Sequence, residues 1–302
     1  MFEKYTIVIP TRNRLTELKI TLENVRFLIE EKNMKCIICD DGSTDGTFDY
    51  VTKYFPKIEI FRNEDSKGIH YVRNRLLNKV NTQFALSIDD DIHFISQNPI
   101  EIIEDYFKLN PKCAIIGFRI FWSKLNPEST DTLSLDERVK SFGAGASIWR
   151  MDAWHDIPDY PEWFVFYGEE DFASFQLFKK GWEVHYVSEI LVHHRVDIKA
   201  RKKEKDYRLR LRRSLRSGWY LYILFYPWKL IPRKMAYTLW IQIKNKVLMG
   251  DWKAMLAIIQ AMGDVIISFP KLLKNSNRLT MQEFRDYSIL SDTKLYWTPK
   301  DN

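Results

Sequence analysis

From Phe84 to Ile95 the chain reads Phe-Ala-Leu-Ser-Ile-Asp-Asp-Asp-Ile-His-Phe-Ile, an apolar run with strand composition that stops at three adjacent carboxylates. Three aspartates repel one another, so a chain can hold them at the edge of a buried strand only if something cationic neutralises them. A divalent ion suits the task. Hard oxygen ligands favour Mg²⁺ or Mn²⁺, and a site with few protein carboxylates completes its shell with substrate phosphates. Asp89 and Asp91 then read as Asp-x-Asp. An acidic, solvated turn is the alternative reading of the same three letters.

The preceding sequence places this strand end in a larger pattern. Tyr5 to Ile9 is a β-branched run stopped by Pro10, and Leu18, Leu22 and Val25 follow at helical spacing. A second strand, Cys36 to Cys39, runs into Asp40-Asp41-Gly42-Ser43-Thr44-Asp45-Gly46-Thr47, a turn with capping residues for the helix that carries Phe48, Val51 and Tyr54. Ile58 to Phe61 reads as a third strand and His70 to Val80 as a third helix. Strands alternating with helices imply parallel pairing with right-handed crossovers, and ligands gather at the carboxyl ends of such strands. Thr11, Asp41 and Asp89 to Asp91 all fall at those ends.

Thr6-Ile-Val-Ile-Pro-Thr-Arg-Asn-Arg14, Cys39-Asp-Asp-Gly-Ser-Thr-Asp-Gly-Thr47, Gly68 with Val72-Arg-Asn74, and Ile88-Asp-Asp-Asp91 resemble, in order and spacing, the nucleotide-sugar half of family 2 glycosyltransferases of the GT-A fold. The resemblance implies an α/β fold: a Rossmann-like, mostly parallel sheet flanked by helices, here with a C-terminal α-helical extension. It implies a nucleoside-diphosphate sugar as donor, a UDP-sugar being favoured, and Mn²⁺ or Mg²⁺ as cofactor. Asp41 is expected to accept a hydrogen bond from the base, with Pro10, Thr11 and Arg12 lining the same pocket and Arg73 near the base or diphosphate. Asp89 would reach the ribose or the metal shell, Asp90 would belong to the donor site, and Asp91 would bind the ion. Asp91 is followed by Ile92 rather than a further acidic residue, a departure from the family pattern that bears on the role of Asp90.

The later motifs continue the resemblance to about residue 196. Phe142-Gly-Ala-Gly-Ala-Ser-Ile-Trp149 opens a strand on small residues, and Gly145 would let backbone approach the donor sugar unless it serves only a tight bend. Phe166-Tyr-Gly-Glu-Glu-Asp-Phe172 puts carboxylates at a helix start, where the dipole favours them and capping alone could account for them. By the resemblance this helix start supplies the catalytic base, Asp171, with Glu170 as supporting carboxylate or substitute. His193, in His193-His194-Arg195, is the candidate metal or diphosphate contact; a surface histidine pair is the alternative. The irregular segment Ser123 to Lys140 reads as a loop over the substrate.

Beyond Asp197 the composition changes. Lys199, Arg201, Lys202, Lys203, Lys205, Arg208, Arg210, Arg212, Arg213 and Arg216 face only Glu204 and Asp206, while Tyr207, Leu211, Leu215 and Trp219 repeat every four residues. This pattern marks a basic amphipathic helix, and ten Trp with fifteen Tyr in the chain fit sugar stacking or a membrane interface. The expected division is a catalytic domain over residues 1–197 and a membrane-associated helical tail over 198–302. A cap on the catalytic domain or on a second subunit is the alternative, and the interleaved apolar stripe argues against nucleic acid. The three cysteines cannot build a disulfide framework, and the C-x-x-C of Cys36 and Cys39 lies in a strand, where residues three apart face opposite sides. With a first strand near Met1 and no leader pattern, the expectation is a cytoplasmic protein, peripheral on the membrane.

The function expected is metal-assisted, inverting transfer of a sugar to a hydroxyl of a glycan or lipid-linked acceptor. A nucleotidyltransferase and a noncatalytic nucleotide-sugar-binding scaffold are the rivals.

Overall fold

The structure is a computed structural model that describes residues 2–196 and 206–299. The basic run of Lys199, Arg201, Lys202, Lys203 and Lys205, and the expected boundary at 197/198, lie outside the described residues.

The first half alternates as the apolar spacing dictates: β1 (Tyr5–Thr11), α1 (Leu15–Glu30), β2 (Lys35–Asp40), α2 (Thr47–Tyr54), β3 (Glu59–Arg62), α3 (Ile69–Leu77) and β4 (Phe84–Ile88). Then come β5 (Ile92–Phe94), α4 (Pro99–Leu109), β6 (Cys113–Trp122), β7 (Glu137–Arg138), β8 (Ala146–Arg150), α5 (Met151–His155), α6 (Glu169–Lys179) and β9 (Glu183–His194). Among the described residues these nine strands form one sheet, ordered β3-β2-β1-β4-β8-β6-β9-β5 with β7 on β9. Strands β1 to β4 pair in parallel, while β8 enters antiparallel between β4 and β6, so the sheet is parallel in one half and mixed in the other.

Because side chains alternate along a strand, β1 feeds two cores. Ile7 and Ile9 pack with Leu18, Leu22 and Ile38 on one face, and Val8 packs with Val72, Leu76 and Trp149 on the other. Cys36 and Cys39 divide in the same way between the two faces, as their spacing requires. The expected strands over 184–187 and 190–192 are one element, β9, whose register against β6 slips between Phe118 and Arg119. Most of the Ser123 to Lys140 segment is irregular, but Glu137–Arg138 adds an antiparallel rung to β9.

The C-terminal part forms α7 (Tyr207–Phe225), α8 (Ile231–Gln242) continued by a π-helical turn (Ile243–Val247), α9 (Trp252–Lys274) and α10 (Met281–Ser288). Its core is shared with α6 and the turn before it: Phe164, Phe172 and Phe175 are buried with Trp219, Leu224 and Phe225. Phe225 stacks on Phe175 at 4.9 Å between ring centroids. The expected basic membrane face of α7 is therefore corrected. Arg212 turns inward to grip Asp264 with both prongs, at 2.7 and 2.5 Å, and Arg216 donates to the Phe164 carbonyl. The apolar stripe beside them, with Leu215 and Trp219, enters the protein core. The chain finally returns to the sheet, where the buried Trp297 donates its backbone N–H to the Ile120 carbonyl at 2.9 Å.

Candidate active site

The strand-end carboxylates are held by cations of the chain itself. Asp91, 1% exposed, has its Oδ2 2.6 Å from the Arg14 guanidinium and 3.2 Å from His194 Nε2. Burial alone would raise its pKa, but the His194 ring and Arg14 hold it down at about 2. Asp90 accepts the Thr11 hydroxyl at 2.8 Å, and its backbone carbonyl accepts from Thr21. Burial, with the charge of its neighbouring aspartates, outweighs Arg14 and lifts Asp90 to about 7. Asp90 therefore ties β1 and α1 to the strand end, while Asp89 faces the open site.

Asp89 lies against the glycine-rich turn. Its N–H donates to the Gly145 carbonyl at 2.9 Å, and a Cβ at Gly145 would fall 2.1 Å from Asp89 Oδ2. Only glycine leaves room for that carboxylate. Arg73, buried on α3, donates to Asp89 at 2.8 Å with one prong and to Glu169 at 2.8 Å with the other. One guanidinium thus fixes the strand-end cluster against the carboxylate helix.

That helix begins after a constrained turn. Val165 and Tyr167 hold φ of 70° and 68°, unusual for side-chain-bearing residues, and Gly168 has φ of 87°. The tail buttresses this turn, since Ser217 of α7 donates to the Phe166 carbonyl at 3.1 Å. Of the three carboxylates that follow, Glu169 is the buried one, held by Arg73 and by His70 Nε2 at 2.9 Å. Although burial opposes it, His70 and Arg73 depress Glu169 to about 2. Glu170 is pushed well above the carboxylate range by burial and by the Glu169 charge. Asp171 is also raised, by the protein packed around it and the Glu169 charge against the Ser141 hydroxyl, yet it stays open to solvent.

Two adjoining cavities meet here. A cavity of about 1130 Å³ is lined by Pro10, Thr11, Arg12, Asp41, Asp90 and Asp91, with further basic residues from α7. A second, of about 560 Å³, is lined by Gly145, Glu170 and Asp171 together with Ser217 and Leu221 of α7. Arg73, Asp89, Phe166, Glu169 and His194 line both. The geometry thus gathers every expected site residue except one.

That exception is His193. Its Nε2 faces the Ser123 carbonyl at 2.8 Å and its ring packs against His93 and Phe121, away from both cavities. Adjacent residues of a strand point to opposite faces, so His194 is the ring that reaches Asp91. Asp41 is placed as expected at the cavity, but both carboxylate oxygens are already engaged. Asn63 and the Lys67 N–H bond one, Ser66 and the Gly68 N–H the other, at 2.7 to 3.1 Å. These bonds lower its pKa against the effect of burial. Asp41 thereby shapes the 63–68 loop at the cavity wall. Arg14, Glu169 and His194 were given no role by sequence reasoning, although Arg14 closes a quoted motif and Glu169 and His194 each adjoin a residue that was singled out.

The residues fit a divalent ion bound largely through its substrate. Asp91 Oδ1 is buried without a hydrogen-bond partner, an orphaned acceptor beside the His194 ring. Among the described residues no three His, Cys, Asp or Glu side chains converge on one point, so Asp91 and His194 would leave the remaining positions to phosphate oxygens and water.

The chain belongs to glycosyl transferase family 2, whose profile matches residues 6–167, more than half of its 302 residues. Among curated proteins none matches it significantly. Among solved structures it is similar to GalNAc-T7 with UDP, GalNAc and Mn²⁺, at 12% identity and a TM-score of 0.59, over 89% of this chain and 58% of that one. It is also similar to residues 1–349 of S. aureus TarS in complex with UDP-GlcNAc (15% identity, TM-score 0.56, 90% of this chain and 84% of that one). A third is the mannosyltransferase PcManGT from Pyrobaculum calidifontis with GDP-Man and Mn²⁺ (11% identity, TM-score 0.55, 94% and 78%). At these identities the likeness is one of fold, that of GT-A glycosyltransferases. The chain spans 58% of GalNAc-T7 and 40% of the longer TarS structure.

Proposed function

We propose that the protein transfers a sugar from a nucleoside diphosphate, with a UDP-sugar favoured, to a hydroxyl of a glycan or lipid-linked acceptor at a membrane surface, with inversion at the anomeric carbon. The observation that carries this reading is Arg73, whose two prongs join Asp89 at the strand end to Glu169 at the head of the carboxylate helix, where the two cavities meet. The larger, more basic cavity suits the nucleotide and its diphosphate. The smaller holds the candidate base.

Asp171 is open to solvent in that cavity and takes the acceptor proton, with Glu170 as the substitute carboxylate beside it. A base on the acceptor side and a diphosphate on the other suit a single in-line displacement. A divalent cation held by Asp91 and His194 would neutralise the charge growing on the departing diphosphate. Arg73 keeps Asp89 in place and adds positive charge at the junction of the two cavities. Relatives of this fold were solved with UDP, UDP-GlcNAc or GDP-Man, which supports a nucleotide donor. The pathway proposed is cell-surface polysaccharide or glycoconjugate synthesis on the cytoplasmic face.

Calorimetric titration of UDP, GDP and dTDP, each with Mn²⁺ and with EDTA, tests the donor site. Metal-dependent binding of one nucleotide, lost in Asp91→Ala, is the expected result. Release of pyrophosphate rather than nucleoside diphosphate during turnover would move the chemistry to nucleotidyl transfer and refute the proposal.

A further inference from the structure

The catalytic reading leaves the outer side of the C-terminal helices unexplained. Helix α9 buries Ala254, Ala257, Ile258, Ala261, Val265 and Leu272 against the body of the protein, which leaves the opposite side for solvent. That side is not polar. Trp252, Leu256, Ile259, Ile266 and Leu273 recur there at helical spacing, with Ile267 at 81% exposure and Trp252 at 69%. Met249, at the tip between α8 and α9, is 80% exposed, and Tyr237 and Trp240 extend the apolar surface along α8. A contiguous surface of this kind marks an interaction site.

We propose that the outer face of α8 and α9 docks the protein onto an anionic lipid bilayer, the helices lying in the headgroup region. This deepens the proposed function, on whose membrane-borne acceptor it rests. Charge decides among occupants. From Trp228 to Gly250 the sequence carries Lys229, Arg233, Lys234, Lys244 and Lys246 and no Asp or Glu. The acidic residues of α9 and its N-cap are already engaged, Asp264 by Arg212 and Asp251 by the Tyr207 hydroxyl and the Ala254 N–H. Cations flanking Trp and Tyr match an anionic headgroup layer above acyl chains. A second copy of the chain fits poorly, because a two-fold interface would set this cationic face against itself. Nucleic acid would leave the aliphatic stripe exposed.

Helix α9 has the length and apolarity to cross a bilayer, but its inner face is part of the core shared with α7 and is fixed by the Arg212–Asp264 pair. Lying on the surface keeps that core intact. The same docking brings the chemistry to the lipid. Helix α7 packs on α9 and also lines the second cavity through Ser214, Ser217, Gly218 and Leu221.

Co-sedimentation of the full chain with phosphatidylcholine vesicles, with and without phosphatidylglycerol, tests the assignment. Wild type is expected to sediment with the anionic vesicles. Trp252→Ser/Ile266→Ser/Ile267→Ser and, separately, Arg233→Glu/Lys244→Glu should each lower the partition coefficient by about tenfold or more. Nucleotide binding, measured by calorimetry on the same variants, verifies the fold and reports separately on the donor site. Wild type that stays in the supernatant with anionic vesicles, or variants that sediment as fully as wild type, would overturn the proposal. A dimer abolished by the same substitutions, without vesicle binding, would assign the face to a second copy.

Discussion

Replacing Gly145 by alanine tests the junction of the two cavities with one methyl group. The added Cβ would lie 2.1 Å from Asp89 Oδ2, 2.4 Å from Cγ and 2.8 Å from Oδ1, all inside normal contact. The backbone can accept alanine, since Gly145 is not among the positive-φ residues. The side chain of Asp89 must therefore retreat by about 1 Å, which takes it beyond hydrogen-bond reach of Arg73, now 2.8 Å away. A charge-assisted bond of this kind contributes about 1.5–3 kcal/mol, and a misplacement of about 1 Å at a reacting centre can cost about 100-fold in rate. Gly145→Ala is thus expected to lower kcat/KM for the donor by about 10- to 100-fold. The decisive assay is a double-mutant cycle. In an Asp89→Ala background the clash is gone, and Gly145→Ala should then cost almost nothing further. Wild-type kcat/KM in the single variant, or an undiminished effect in the Asp89→Ala background, would refute the argument.

Asp171→Asn should retain nucleotide binding while turnover falls by about 100-fold or more; a larger loss from Glu170→Gln would transfer the base to Glu170. Both carboxyls have raised pKa values, and a base must be ionised to act. The acid limb of the kcat/KM profile should therefore lie above the value of about 4 of an ordinary carboxylate, activity falling as pH drops through it; a limb near 4 would show that the base does not titrate with a raised pKa. Glu169, depressed to about 2, stabilises the fold fully above its unfolded pKa and loses that contribution as pH falls toward 2. Glu169→Gln should cost about 3–5 kcal/mol at neutral pH, because the buried Arg73 and His70 lose a charged partner, and should flatten the acid denaturation curve in that window. Ser217→Ala removes the bond from α7 to the Phe166 carbonyl and should lower kcat more than it lowers melting temperature; equal losses in a heat-matched comparison would make the contact purely structural.

Much of the donor half was legible because its information is local. The β-branched run of Tyr5 to Ile9 stopped by Pro10 and the abrupt end of Phe84–Ile88 in aspartates place residues at strand ends before any contact is known. His194 was not legible. Strand parity could have chosen it over His193, but the register of β9 slips against β6 where Phe118 faces Val187 and Arg119 faces Leu191, so counting alternate positions from upstream fails. Glu169 was hidden for a related reason: three carboxylates at a helix start look alike until His70 and Arg73 of α3 single one out.

The tail shows the same division more broadly. Its sequence determined that there would be helices, that they would be basic and aromatic, and that some apolar face would need covering. Which face was decided by packing. The stripe of α7 is satisfied by Phe172 and Phe175, and Arg212 by Asp264, so the surface left uncovered belongs to α8 and α9. Periodicity reports that a side of a helix is apolar, since that depends only on residues three and four apart. What lies against that side depends on residues distant in the chain, and only the folded structure brings them together.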